Sequence, residues 1–168
     1  MKNYIDVTKE WLENATPNTH KVKNRYYYEH NGIKYKVYKK EVILDYSKKE
    51  REIAVWLENI FGGEIFMLPK INSPKGIKTA DYLFKNEYWD LKEINSEGKN
   101  ILFHAVENQK KQSHNFIFDV SNSTLTDLEI DERINSLYKF PKLKWLDKII
   151  IKRDERLVKI IKRSDPSD

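Results

Sequence analysis

The chain reads as a mixed α/β domain, a mixed sheet flanked by helices, with a small N-terminal helix and β-hairpin extension before it. Three observations predict this. Strand and helix patterns alternate from residue 47 onward. Asn31-Gly32 sits between two β-forming runs, the strongest short-range hairpin signal. Residues 47–61 carry apolar positions at helical spacing and stop at Gly62-Gly63. With 168 residues, the chain is long enough for a substantial core.

The elements follow in order. Residues 8–15 predict a short helix with Thr8 at its N-cap and Trp11-Leu12 apolar, and Thr16-Pro17-Asn18-Thr19 a loop. Residues 26–30 and 33–38 form the hairpin arms, and Val42-Ile43-Leu44 a third short strand. In the helix 47–61, Ser47 and Glu50 have capping-box spacing, and Ile53, Ala54, Leu57, Ile60 and Phe61 share a face. A strand follows at 64–68, a loop at 69–76, and a second hairpin at 81–84 and 88–94. After a loop at 95–100, residues 101–113 predict a helix, 115–120 a buried strand and 125–138 another helix. Strands at 146–152 and 156–162 pair across Asp154-Glu155, and 165–168 form a frayed tail. The domain division is therefore an extension over 1–45, a core domain over 46–163 and a disordered tail over 164–168.

Composition bounds the function. Cysteine is absent, which excludes disulfides and zinc-thiolate sites. No apolar run approaches the ~20 residues of a membrane span, so no membrane partner is expected. The first residues, Met-Lys-Asn-Tyr-Ile-Asp, lack the apolar core of a signal peptide, so export would come from elsewhere, such as a larger parent protein. Net charge +5 and a pI near 9.1 favour a polyanionic partner. The densely basic stretch 139–163, which includes Trp145, reads as a nucleic-acid-facing edge or as a charged edge strand that resists aggregation.

The chemistry concentrates in residues 79–92. Asp81 opens one hairpin arm, and Asp90 and Lys92 alternate along the other, which puts them on one face. An acid followed by acid-x-lysine is an arrangement of metal-dependent nucleases. Paired carboxylates repel unless a cation intervenes, and an oxygen-only set suits Mg²⁺, or Mn²⁺ in its place. Lys92 faces the charge developing on phosphate. Glu50 falls about 20° from Leu57 on the helix and so points inward, as a third ligand or as a cap partner of Ser47. Gln112, Lys111 and Lys110 sit at a helix end where amide and ammonium groups contact phosphate or ribose. A plain structural reading stands beside each: surface acids with Lys92 as salt-bridge partner, a capping glutamate, and a solvated helix terminus. None of His20, His30, His104 and His114 forms a recognisable acid/base pair, and no phosphate-binding glycine loop or serine-nucleophile motif is present.

Glu50 with Ile53-Ala54 and Leu57, Phe61-Gly62-Gly63, Thr79-Ala80-Asp81-Tyr82-Leu83, Trp89-Asp90-Leu91-Lys92 and Gln112-x-x-Asn115-Phe116-Ile117-Phe118-Asp119 occur in that order. Over about residues 45–163 the chain resembles the C-terminal tRNase toxin domain of contact-dependent growth inhibition proteins, a domain type shared with phage minor head-type and other polymorphic toxins. Residues 9–12 and 16–18 resemble the lead-in of the phage-type members. The resemblance implies a restriction-endonuclease-like PD-(D/E)xK core. In it Asp81, Asp90 and Glu50 bind metal, Lys92 is the catalytic lysine, and Gln112 matches a recurring glutamine. It also implies tRNA as substrate, an immunity protein (acidic, given the charge here) as partner, delivery on a secreted or phage-borne protein, and action in the target-cell cytoplasm of bacteria. Ala80 departs from the proline of the name motif. The alternatives are a DNase on the same core and a non-catalytic nucleic-acid-binding or phage structural module.

Overall fold

The structure, a computed structural model, describes residues 3–98 and 100–164. In chain order its elements are β1 (Tyr4–Asp6), α1 (Thr8–Glu13), β2 (Lys23–Asn24), β3 (Tyr27–His30), β4 (Ile33–Lys36), β5 (Val42–Ile43), α2 (Lys48–Phe61), β6 (Ile65–Met67), β7 (Lys70–Ile71), β8 (Tyr82–Phe84), β9 (Glu87–Glu93), α3 (Ile101–Val106), β10 (Asn115–Asp119), α4 (Asp127–Lys139), β11 (Lys148–Arg153) and β12 (Arg156–Arg163). Short 3₁₀ turns occupy Val37–Lys39 and Pro141–Leu143. No helix among the described residues is long and apolar enough to cross a membrane.

The elements gather into two compact units. One takes the chain up to Trp11, Leu91–Lys110 and the chain from His114 onward. Its strands run in the order β1-β12-β11-β10; β10 and β11 are parallel, and the other neighbours antiparallel. All five β10 residues are buried, as are Ile149, Ile150 and Ile151 of β11, so these strands carry apolar side chains on both faces rather than alternating. Leu102 and Val106 of α3 and Ile130, Ile134 and Leu137 of α4 pack onto Phe116, Phe118 and Ile149. Thr126 and Glu129 close a reciprocal capping box at the start of α4. The Arg163 guanidinium donates to the carbonyls of Tyr138, Leu143 and Leu146 at 3.2, 2.8 and 2.7 Å, which anchors the turn after α4.

The other unit takes Leu12–Asp90 with Lys111–Ser113. Its sheet order is β9-β8-β6-β2, antiparallel except for β6 and β2. Helix α2 packs against β6, with Ile53, Ala54, Trp56, Leu57 and Phe61 buried. Two ribbons, β3–β4 and β5–β7, complete it, and Tyr28, Val42, Leu68, Ile71 and Ala80 form a small second core. The β3–β4 turn has Asn31 and Gly32 at φ 51° and 78°, the left-handed pair that a two-residue hairpin requires.

Several boundaries differ from the sequence expectation. β1 pairs with β12 and β2 with β6, pairings that the sequence reading did not include. Neither two- or three-residue strand has a local signature. β7 lies inside the segment expected to be loop. The helix expected over 101–113 ends at Val106, since Gln112 and Ser113 bond to the Thr79 and Tyr88 carbonyls instead of continuing it. The tail at 165–168 lies outside the described residues.

Candidate active site

Helix α2 sets the first acid. The Ser47 hydroxyl accepts from the Glu50 N–H at 3.0 Å, so the expected N-cap is present. Glu50 is half-buried beneath it, and its backbone carbonyl accepts the Tyr82 hydroxyl at 2.6 Å. Burial raises the Glu50 carboxyl above the usual range; Lys70 and the Ser47 hydroxyl pull it back, and the charges of Asp45 and Asp90 push it further up. Glu50 therefore lies within the field of Asp90, as well as at the cap.

The hairpin of β8 and β9 sets the other two. Tyr82 pairs with Trp89 and Leu83 with Tyr88, across a turn whose Lys85 and Asn86 both have positive φ. Asp81 stands one residue outside β8. Its N–H donates to the Trp89 carbonyl at 3.0 Å and its carbonyl accepts the Leu68 N–H at 3.0 Å, which fastens its backbone beside the residue preceding Asp90. Asp90 is 3% exposed in β9, unusual for a carboxylate. Lys92, half-buried, follows two residues later in the same strand.

Sequence reasoning missed the group that holds this segment. Tyr28 of β3 is 1% exposed, and its hydroxyl accepts the Ala80 N–H at 2.9 Å, directly before Asp81. Burial pushes the Tyr28 phenol well above the ordinary tyrosine range; the Ala80 bond opposes this, and the charges of Tyr88, Asp90 and Asp81 add to it. Tyr88 stacks on Tyr28 at 5.3 Å and donates to the Glu29 carbonyl at 2.6 Å. Three successive tyrosines at the hairpin were the only available signal, and nothing in their spacing marks the third as a brace. Lys70 was missed for a similar reason, since it lies in a segment read as loop.

Of the residues expected to touch substrate, Gln112 is half-buried and its Nε2 donates to the Thr79 carbonyl at 2.9 Å. It braces the lead-in to Asp81 from the side opposite in sequence to Tyr28. Lys110 and Lys111 are exposed.

The donor set is oxygen-only, which suits a hard divalent cation. Among the described residues, no three or more His, Asp or Glu side chains converge as a group able to hold a metal ion. Asp81, tied through its backbone to the residue before Asp90, and Asp90 itself supply the one or two carboxylates that Mg²⁺ ordinarily takes, so their chemistry fits such a cation. Glu50 feels the charge of Asp90, which helps raise its carboxyl.

Residues 78–157, just under half of the chain, match the family model of the contact-dependent growth inhibition CdiA C-terminal domain. A chain of the CdiA-CT/CdiI toxin and immunity complex from Burkholderia pseudomallei shares the fold. It is 19% identical, with a TM-score of 0.55 over 84% of this chain and 99% of that one. No curated protein matches the chain.

Proposed function

We propose that this chain is a toxin domain of the contact-dependent growth inhibition type that cuts nucleic acid by metal-assisted hydrolysis, with tRNA the favoured substrate. Two likenesses support the toxin class: the family match over residues 78–157, and the fold shared with a toxin and immunity complex. The observation that carries the chemistry is the burial of Asp90 to 3% exposure, in a strand whose neighbour positions Asp81 and within the field of Glu50. Removing a carboxylate from water is costly, and sites that use a cation or a reaction are where folds concentrate buried acids within one another's fields.

In this reading the core is of the PD-(D/E)xK kind, and Asp81 and Asp90 hold Mg²⁺ or Mn²⁺. When bound, the cation neutralises phosphate charge and lowers the pKa of water. Asp90 is kept rigid by β9, and Asp81 by its two backbone bonds, so neither reorganises during reaction. Glu50, its carboxyl already raised, takes up a proton more readily than an ordinary glutamate and orients the attacking water. Lys92 supplies a positive charge two residues from Asp90 for the pentavalent phosphate. The natural partner is an immunity protein with an acidic face, complementary to a chain of net charge +5. The cutting takes place in the cytoplasm of the target cell, after delivery on a longer secreted or phage-borne protein.

The test is incubation of purified protein with total tRNA, with Mg²⁺ or with EDTA, alongside Asp90→Ala. Discrete fragments that require both the metal and Asp90 are expected. Cleavage by a folded Asp90→Ala protein overturns the mechanism. Intact tRNA with cut duplex DNA moves the same core to a DNase, and no cutting of either leaves a binding module.

A further inference from the structure

A cavity lies within the unit that holds α3 and α4. It measures about 440 Å³, in the range of pockets that enclose small organic ligands. Phe103 and Phe140 form an aromatic wall, their rings 4.6 Å apart at 49°, and Phe140 remains 41% exposed. Leu137 closes the apolar floor. Arg133 is another wall, because its guanidinium donates to the Glu97 and Gly98 carbonyls. The rim carries Glu132, exposed and anionic.

Phe140 opens the turn Pro141–Leu143, and exposed lysines flank it at 139, 142 and 144. Trp145 follows two residues after that turn; its Nε1 donates to the Lys142 carbonyl at 3.0 Å and its ring meets His114 at 5.7 Å. Aromatic faces thus alternate with cations along one short stretch. Glu132 repels a phosphate from the cavity but can accept an amino proton, whereas the three exposed lysines close to Phe140 in the chain attract phosphate. That separation of charge matches a nucleotide: base inward, backbone along the turn.

We propose that this cavity and turn form a subsite for an unpaired nucleotide. Its base stacks on Phe140, and the flanking phosphates run along Lys139, Lys142 and Lys144. The inference rests on the nuclease reading for its substrate class, and it adds a recognition element made of residues other than the acids. It favours substrates with a loop or free end, because a base within a duplex has no exposed face to offer.

The experiment measures binding in EDTA, where cleavage cannot intrude. A short fluorescent single-stranded oligoribonucleotide is titrated by anisotropy with wild type, Phe140→Ala, Phe140→Tyr and the triple Lys→Gln variant at 139, 142 and 144. A duplex of the same sequence and polyglutamate serve as the other arms. Phe140→Ala should weaken single-strand binding roughly 10-fold or more, as loss of one stacked base does, while Phe140→Tyr retains it. The triple variant should flatten the dependence on log salt by about two, from ~0.7 per lost phosphate contact. Unchanged binding in Phe140→Ala, an equal loss on duplex, or Phe140-dependent binding of polyglutamate overturns the subsite. Cleavage is read separately at saturating RNA. A wild type that binds through Phe140 but never cuts refutes the nuclease and leaves the subsite standing.

Discussion

Tyr28→Phe tests whether the Asp81 segment is held by a single buried hydroxyl. The substitution keeps the ring that stacks on Tyr88 and removes only the acceptor for the Ala80 N–H. At 1% exposure for Tyr28 and 2% for Ala80, water has no route to that donor. An orphaned buried donor costs about 1–3 kcal/mol, so a loss near 2 kcal/mol is expected. Tyr88→Phe is the matched control. Its hydroxyl donates to the carbonyl of half-buried Glu29, which water can satisfy, so its cost should stay near the net worth of one hydrogen bond, about 1 kcal/mol. Urea unfolding reads both. With a slope of about 2 kcal/mol per molar, Tyr28→Phe should lower the midpoint by about 1 M with the slope unchanged. On the proposed metal-dependent cleavage, a positioning role also predicts a rise in the Mg²⁺ concentration needed for half-maximal cleavage, which general destabilisation would not produce in a protein still folded. A Tyr28→Phe protein no less stable than Tyr88→Phe, with an unaltered Mg²⁺ requirement, refutes the reasoning.

Two further outcomes follow from the same unit. Glu50 has a raised folded-state carboxyl, so its charged form opposes folding above that raised value, and the penalty disappears once pH falls below the unfolded carboxylate range. Glu50→Gln should therefore unfold at higher temperature than wild type at pH 7, with the gain fading as pH falls and gone below about pH 4; a gain that grows on acidification contradicts this. At Gly62, a Cβ would stand 1.6 Å from the Thr16 carbonyl oxygen, and φ 68°, ψ −168° is a region essentially reserved for glycine. Gly62→Ala should cost about 3 kcal/mol or more in urea melts, because it adds backbone strain and breaks the 2.9 Å bond from the Thr16 N–H to the Phe61 carbonyl. Gly63→Ala, with φ 83° but open space around its Cβ, isolates the strain alone; equal costs for the two refute the clash.

The candidate site was legible to the degree that it is local. Asp90 and Lys92 lie two residues apart on one strand, and Glu50 lies three residues after a serine cap; both facts follow from element periodicity and are present in the structure. The expected gathering of three carboxylates was not legible, because it depends on where α2 and the β8–β9 hairpin lie in space. The structure couples Glu50 to Asp90 through their charges, and among the described residues no group of three or more His, Asp or Glu is placed to hold a metal ion. Gln112 shows the same limit. Its position before β10 was noted, but only tertiary contact commits its amide to the Thr79 carbonyl.

What the amino-acid order determined by itself is the set of elements with short-range physics. These are the Asn31-Gly32 turn, the α2 cap and its glycine stop, the apolar runs of β10 and β11, and the alternating acid and lysine of β9. Tertiary structure decided what depends on partners far along the chain. The pairings of Tyr4–Asp6 with β12 and of Lys23–Asn24 with β6 join residues up to 159 positions apart, and no local pattern encodes them. The Tyr28 brace behind Asp81 and the early end of α3 are of the same kind. A buried donor must find an acceptor wherever the fold supplies one, and that requirement acts only once the chain has closed around it.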